Sequence, residues 1–143
     1  MAALSTTGVH HLRLTVSDLA RSRSFYEQTL GFQVIAESPG SPDNPAVRSD
    51  PNQLYGGVVM QAGQTIVGLR PVADKHDQFD SERVGLDHLS FAVESRQELI
   101  DAIARFDDAR VTHGEIIEIE SFGISILSFD DPDGIHLELT APL

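Results

Sequence analysis

The feature that most constrains the fold is an internal repeat. His11-Leu12-Arg13-Leu14-Thr15-Val16-Ser17-Asp18 recurs half a chain later as His88-Leu89-Ser90-Phe91-Ala92-Val93-Glu94-Ser95. Both copies alternate polar and apolar residues, the period of a half-buried strand. Each precedes a helix pattern. In the first, Asp18 is a good N-cap, Leu19, Tyr26 and Leu30 fall on one side, and Gly31 ends the run. In the second, Ser95 and Glu98 form a capping box ahead of Leu99, Ala102, Ile103 and Phe106. Three strand candidates follow each helix: residues 32–37, 54–61 and 65–72, then residues 111–119, 123–130 and 135–141. Gly63-Gln64 and Asp131-Pro132-Asp133-Gly134 read as turns between the last two strands of each half. The expected class is α+β, with two tandem βαβββ modules at about residues 8–73 and 85–142 of one domain spanning residues 1–143. Residues 38–52, rich in Pro, Ser, Asp and Asn, read as a long mobile loop and a candidate lid. Residues 74–82 read as a polar linker.

Composition narrows the function classes. With 41% apolar residues in 143, the chain can bury a real core. It has no cysteine, which excludes disulfides and thiolate metal sites. No apolar run approaches the roughly 20 residues of a membrane span. Residues 1–9 lack the charged-then-apolar plan of a signal peptide. The net charge of −12, from 22 acidic and 10 basic residues, repels phosphate backbones. A cytoplasmic protein with no nucleic-acid or membrane partner is expected.

Side chains alternate across a strand, so the repeat divides into faces. Leu12, Leu14 and Val16 oppose His11, Arg13 and Thr15. Leu89, Phe91 and Val93 oppose His88, Ser90 and Ala92, and Ile135, Leu137 and Leu139 oppose His136, Glu138 and Thr140. The apolar faces are expected to pack on the helices, leaving a second surface poor in large apolar groups. His11, His88 and Glu138 lie on that surface, on three strands. Two imidazoles and a carboxylate make a facial triad that leaves metal positions open for substrate and water. A divalent metal there polarises an oxygen or generates bound hydroxide. Fe, Mn, Zn, Ni and Co all suit these ligand types. Each of the three residues taken alone reads as structural, a satisfied strand histidine or a surface acid. The joint pattern, with both histidines at equivalent positions of the repeat, is harder to read that way, and spacing alone weighs the metal and structural readings about evenly.

Three stretches resemble the vicinal-oxygen-chelate superfamily of glyoxalase I, extradiol dioxygenases, methylmalonyl-CoA epimerase, and fosfomycin- and bleomycin-resistance proteins. They are residues 11–19 continuing through Ser24-Phe25-Tyr26 to Leu30-Gly31-Phe32, residues 85–93, and residues 131–139. The resemblance implies two βαβββ modules whose curved mixed sheets surround a metal-containing cleft. It implies ligands from the first and fourth strand of each module, which fall on His11, Gly68, His88 and Glu138. Gly68 departs from the glyoxalase pattern, where a carboxylate is expected, so the set resembles the extradiol dioxygenases and fosfomycin-resistance enzymes more than glyoxalase I. Gln64, which would be the epimerase-like substitute, sits four residues early in the turn.

The function expected from this is a divalent-metal-dependent enzyme acting on a small oxygenated substrate, one ion per site. The reaction class is left open among lyase, isomerase, transferase and dioxygenase-like chemistry. The alternative is a metal-free bleomycin-resistance-like binding protein. His136, on the face of Glu138, is the candidate catalytic base or spare ligand. Arg13, Thr15, Arg70, Tyr55 and Phe122 are candidates to line the substrate pocket. His10 is expected to point away from His11 in a structural role, and Tyr26 to pack. The resemblance also implies a homodimer.

Overall fold

A computed structural model describes residue 1 and residues 3–143. The chain divides into two units, Met1–Lys75 and His76–Leu143. Each unit carries one four-stranded mixed sheet, and no strand is shared between the sheets.

In the first unit, β1 (His11–Thr15) leads into α1 (Leu19–Ser24). The Asp18 carboxylate caps α1 by accepting from the Arg21 N–H at 3.0 Å. The helix continues as a π-helical turn over Phe25–Thr29, and Gly31, at φ 77°, lets the chain leave it. Next come β2 (Gln33–Glu37), α2 (Pro45–Arg48), β3 (Val58–Ala62) and β4 (Thr65–Arg70). The sheet order is β1-β4-β3-β2, with β1 parallel to β4 and the other pairs antiparallel. Leu14, Val16, Tyr26, Met60, Val67 and Leu69 are buried together as its core. Burying each of the larger ones contributes about 1.5–3 kcal/mol against conformational entropy of similar total size.

The second unit repeats the plan. It runs β5 (Leu89–Ala92), α3 (Arg96–Ala109), β6 (His113–Ile119), β7 (Ile124–Asp130) and β8 (His136–Pro142), in sheet order β5-β8-β7-β6. Strand β5 is parallel to β8. The Glu98 carboxylate reaches back to accept from the Glu94 and Ser95 N–H groups, at 2.6 and 3.1 Å, as the capping signal predicts. Helix α3 buries Leu99 and Phe106 over Leu127, Phe129 and Leu137 of the sheet's apolar face. The turn at residues 131–134 is built on Asp131, buried, whose carboxylate accepts from the Asp133 and Ile135 N–H groups.

The two-module α+β plan stands as the sequence predicts, with two differences. Residues 54–57, read as the start of a strand, instead close a 3-10 turn over Pro51–Gly56, and the strand begins at Val58. Leu54, Tyr55 and Gly56 in succession take positive φ of 53°, 55° and 79°, which ends any extended run. Residues 38–52, read as a mobile loop, contain α2, capped by Asn44 with Pro45 in its first turn. Val47 of α2 is buried, and Gly40 packs so close to it that a Cβ there would meet Val47 Cγ2 at 2.7 Å. No helix among the described residues is long and apolar enough to cross a membrane.

Candidate functional site

The register of the two parallel pairings relates the modules. In the first sheet Arg13 pairs with Gly68, and in the second Ser90 pairs with Glu138. Arg13 and Ser90 hold the same place in the repeat, so Gly68 is the counterpart of Glu138, as the sequence comparison of the halves predicts. Each sheet therefore has a polar face centred on that pair, opposite the face that carries the core.

On the second sheet this face holds His88, Ser90, Glu138, His136 and Thr140. The His88 Nδ1 sits 2.6 Å from Asp87 Oδ1. This contact, countered by desolvation and then reinforced by the charge of Glu138, raises the His88 pKa above its ordinary value. Thr140 Oγ1 donates to Glu138 Oε1 at 3.2 Å and accepts from Ser90 Oγ at 2.5 Å, which orients the carboxylate. One row further along, His136 Nδ1 lies 2.8 Å from Asp130 Oδ1 across the β7–β8 ladder, and the Phe79 ring meets the imidazole edge-on at 5.4 Å. Both histidine side chains remain half exposed. Asp87 and Asp130 were not singled out from sequence. A carboxylate adjacent to a candidate ligand was the signal for the first; the second depends on strand register.

On the first sheet the chemistry differs. Gly68 offers no side chain, and the Arg13 stem lies across it: a Cβ on Gly68 would come 3.0 Å from Arg13 Nε. Arg70, two residues on, stacks its guanidinium on the Tyr55 ring, with Cζ 3.7 Å from the ring centroid, while Arg13 Cζ is 5.6 Å from the same centroid. The αL conformations of Leu54 and Tyr55, each costing about 1–2 kcal/mol in a residue with a Cβ, hold that ring in place. Hydrogen bonds from Tyr55 N to Asp50 O at 3.0 Å and from Gly57 N to Leu54 O at 2.9 Å offset part of this strain. Thr15 pairs with Arg70 on the same face.

His11 also lies on this face, at the start of β1 and exposed. His10, expected to point away from it, is exposed too and turns its ring onto His11, edge-on at 5.1 Å with the two Nδ1 atoms 2.9 Å apart. The strand begins at His11, so the alternation that separated the two residues does not extend to His10. Tyr26 is fully buried and packs against Phe25 and Phe32, as expected. Phe122 stands in the 3-10 turn between β6 and β7, 76% exposed. Gln64 lies exposed in the β3–β4 turn.

The donor set suits a divalent ion. In the second unit an imidazole held by a carboxylate and a carboxylate held by hydroxyls share one face of the sheet, and each has the outer support that such ligands require. His11 is in the other unit. Among the described residues, no three His, Asp or Glu side chains are already gathered as a metal cage.

Comparison with known proteins gives a consistent result. Residues 8–139 match the Glyoxalase/Bleomycin resistance protein/Dioxygenase superfamily. The uncharacterized protein YaeR of Escherichia coli (strain K12) is 28% identical over 133 residues, covering 92% of this chain and 93% of that one. The structure of a glyoxylase/bleomycin resistance protein/dioxygenase domain from Frankia sp. EAN1pec is 28% identical, with a TM-score of 0.74 over 97% of this chain and 94% of that one. The fosfomycin resistance protein FosX of Listeria monocytogenes, at 14% identity, shares the fold with a TM-score of 0.72 over 97% and 94% of the two chains.

Proposed function

Because the chain belongs to the glyoxalase/bleomycin resistance protein/dioxygenase superfamily, we propose that it is a divalent-metal-dependent enzyme acting on a small oxygenated substrate. The observation that carries this reading is the paired support on the second sheet: His88 held by Asp87, and Glu138 held by Thr140. With Nδ1 turned to Asp87, His88 presents Nε2 as a ligand, and Glu138 presents an oxygen. His11 is the third ligand of the proposal. A bound Fe, Mn, Zn, Ni or Co ion would supply Lewis-acid polarisation of a substrate oxygen. Superfamily membership also implies a small-molecule ligand, and we assign the chain to a cytoplasmic homodimer, which sedimentation equilibrium tests.

His136 is the proposed proton-transfer group. Its Nδ1 faces Asp130 at 2.8 Å, which fixes the ring and leaves Nε2 free to accept a proton from substrate. Arg13, Thr15, Arg70, Tyr55 and Phe122 are the proposed substrate contacts.

Elemental mass spectrometry of wild type, His88→Ala and Glu138→Ala tests the metal. About one ion per chain in wild type, lost in both variants, is the expected result. A wild type that stays metal-free after incubation with each ion in turn refutes it. One observation favours the second reading, a metal-free small-molecule binder. The position equivalent to Glu138 is Gly68, and a cationic side chain covers it.

A further inference from the structure

We propose that the polar face of the first sheet is an oxyanion subsite, in which Arg13 and Arg70, arranged around Tyr55, hold a phosphonate, phosphate or carboxylate group of the small molecule. The proposal rests on reading the polar faces as the small-molecule surface and does not depend on the metal.

The first argument is charge. The chain has 22 acidic against 10 basic residues. Two other arginines do pair with acids, Arg23 with Glu27 and Glu37, and Arg96 with Glu118. Arg13 and Arg70 make no ion pair among the described residues. They share one ring instead, so two like charges are kept on one face of an otherwise acidic protein. Like charges held together repel, and an anion between them relieves the repulsion.

The second argument is an unmet donor. Arg70 Nε is buried without a hydrogen-bond partner. A guanidinium has five N–H donors in a fixed fork that matches the oxygens of carboxylate and phosphate groups. Stacking on an aromatic ring occupies the face of the guanidinium and leaves its edges for an oxyanion.

The third argument is construction. Tyr55 is set under the guanidinium by consecutive αL residues, backbone strain of the kind concentrated at ligand sites. Gly68 leaves the sheet flat where Arg13 crosses it, since a Cβ would press on Arg13 Nε and Cγ at 3.0 and 3.4 Å. In the second module the equivalent position carries Glu138, so the two modules present opposite charge at equivalent positions of the repeat.

The test titrates chelator-treated full-length protein with methylphosphonate, acetate and methylammonium by calorimetry. Tyrosine fluorescence is the second readout, since the chain has no tryptophan and only two tyrosines. Wild type is expected to bind an oxyanion, with binding that weakens as salt rises, and not to bind methylammonium. Arg13→Gln and Arg70→Gln are each expected to weaken it about ten-fold or more. Arg13 is exposed, so its variant keeps the fold, and Gly68→Ala, which displaces the Arg13 side chain, is expected to weaken binding in the same direction. Tighter binding of methylphosphonate than acetate identifies a phosphonate or phosphate group, and the reverse order identifies a carboxylate. Absence of oxyanion binding in wild type, or affinity unchanged in both arginine variants, overturns the proposal. Arg96→Gln, which removes an arginine paired with Glu118 and away from the proposed site, is expected to bind oxyanion as wild type does. A protein that takes up metal but no oxyanion fails this inference alone, and one that binds oxyanion but no metal fails the metal reading alone.

Discussion

Gly57 sets the position of the loop that carries Tyr55, and Gly57→Ala is the substitution with the most sharply defined consequence. Its backbone, at φ −101° and ψ −162°, is one that any residue adopts, so the cost is steric and not conformational. An added Cβ would lie 1.9 Å from Leu69 O, 3.0 Å from Leu69 C and 3.1 Å from Leu54 O. A carbon–oxygen contact needs about 3.3 Å, so the chain must open by about 1.4 Å against the β4 backbone. Two hydrogen bonds border the site, Gly57 N to Leu54 O and Ser38 N to Gly57 O, both 2.9 Å. Losing or stretching both costs about 1 kcal/mol each, and overpacking adds about 1–3 kcal/mol. The expected destabilisation is about 3–5 kcal/mol, a large share of the ~5–15 kcal/mol typical of a domain. For a chain of this length that lowers Tm by about 10–16 °C. Urea unfolding measures it, with Gly114→Ala as the control. There the nearest atom to an added Cβ is Ser128 O at 3.9 Å, so the control should stay within about 0.5 kcal/mol of wild type. A Gly57→Ala loss below about 1 kcal/mol, at unchanged m-value, would refute the steric argument.

Other expectations concern the second unit. Phe106→Ala removes a fully buried ring packed on Phe129 at 4.5 Å and should cost about 3–5 kcal/mol in the same urea assay. His113 is held above its ordinary pKa by the Asp107 carboxylate first and the Gly114 carbonyl second. A raised folded-state pKa means its stabilisation is complete below the unfolded value and disappears as pH rises through the folded one. The stability difference between wild type and His113→Gln should therefore be larger at pH 5.5 than at pH 8.5; an equal difference at both would dismiss the ion pair as a contributor.

The modules were legible because alternation and helix capping are local signals. Leu12, Leu14 and Val16 against His11, Arg13 and Thr15 needed only the period of a strand, and Asp18 and Glu98 announced their helices. The 54–57 segment was missed because Leu and Tyr have no local preference for positive φ; the contacts of the Pro51–Gly56 turn impose it. Asn44-Pro45 did carry a cap signal, which the surrounding turn residues masked. At the site, shared faces could be read, but contacts across strands could not. That Arg13 lies over Gly68, that Asp130 meets His136, and that Arg70 stacks on Tyr55 all depend on register and loop conformation between segments distant in sequence.

The separation of the two sheets also shapes how the chain is made. The most distant pairing in the first sheet is that of β1 with β4, which runs from His11–Ile66 to Thr15–Arg70. Among the described residues, every strand pairing of this sheet lies before residue 71. Synthesis at about 5–20 residues per second leaves about 4–15 seconds between the appearance of Arg70 and that of Leu143. Strand pairing within so small a segment is fast on that scale, because closing a loop costs entropy that grows only with the logarithm of its length. The arginine-bearing sheet can thus be finished on the ribosome while the carboxylate-bearing one is still being translated. A β1–β4 closure made in that interval precedes the arrival of the similar β5, an ordering that protects a repeated sequence from pairing with the wrong copy of itself.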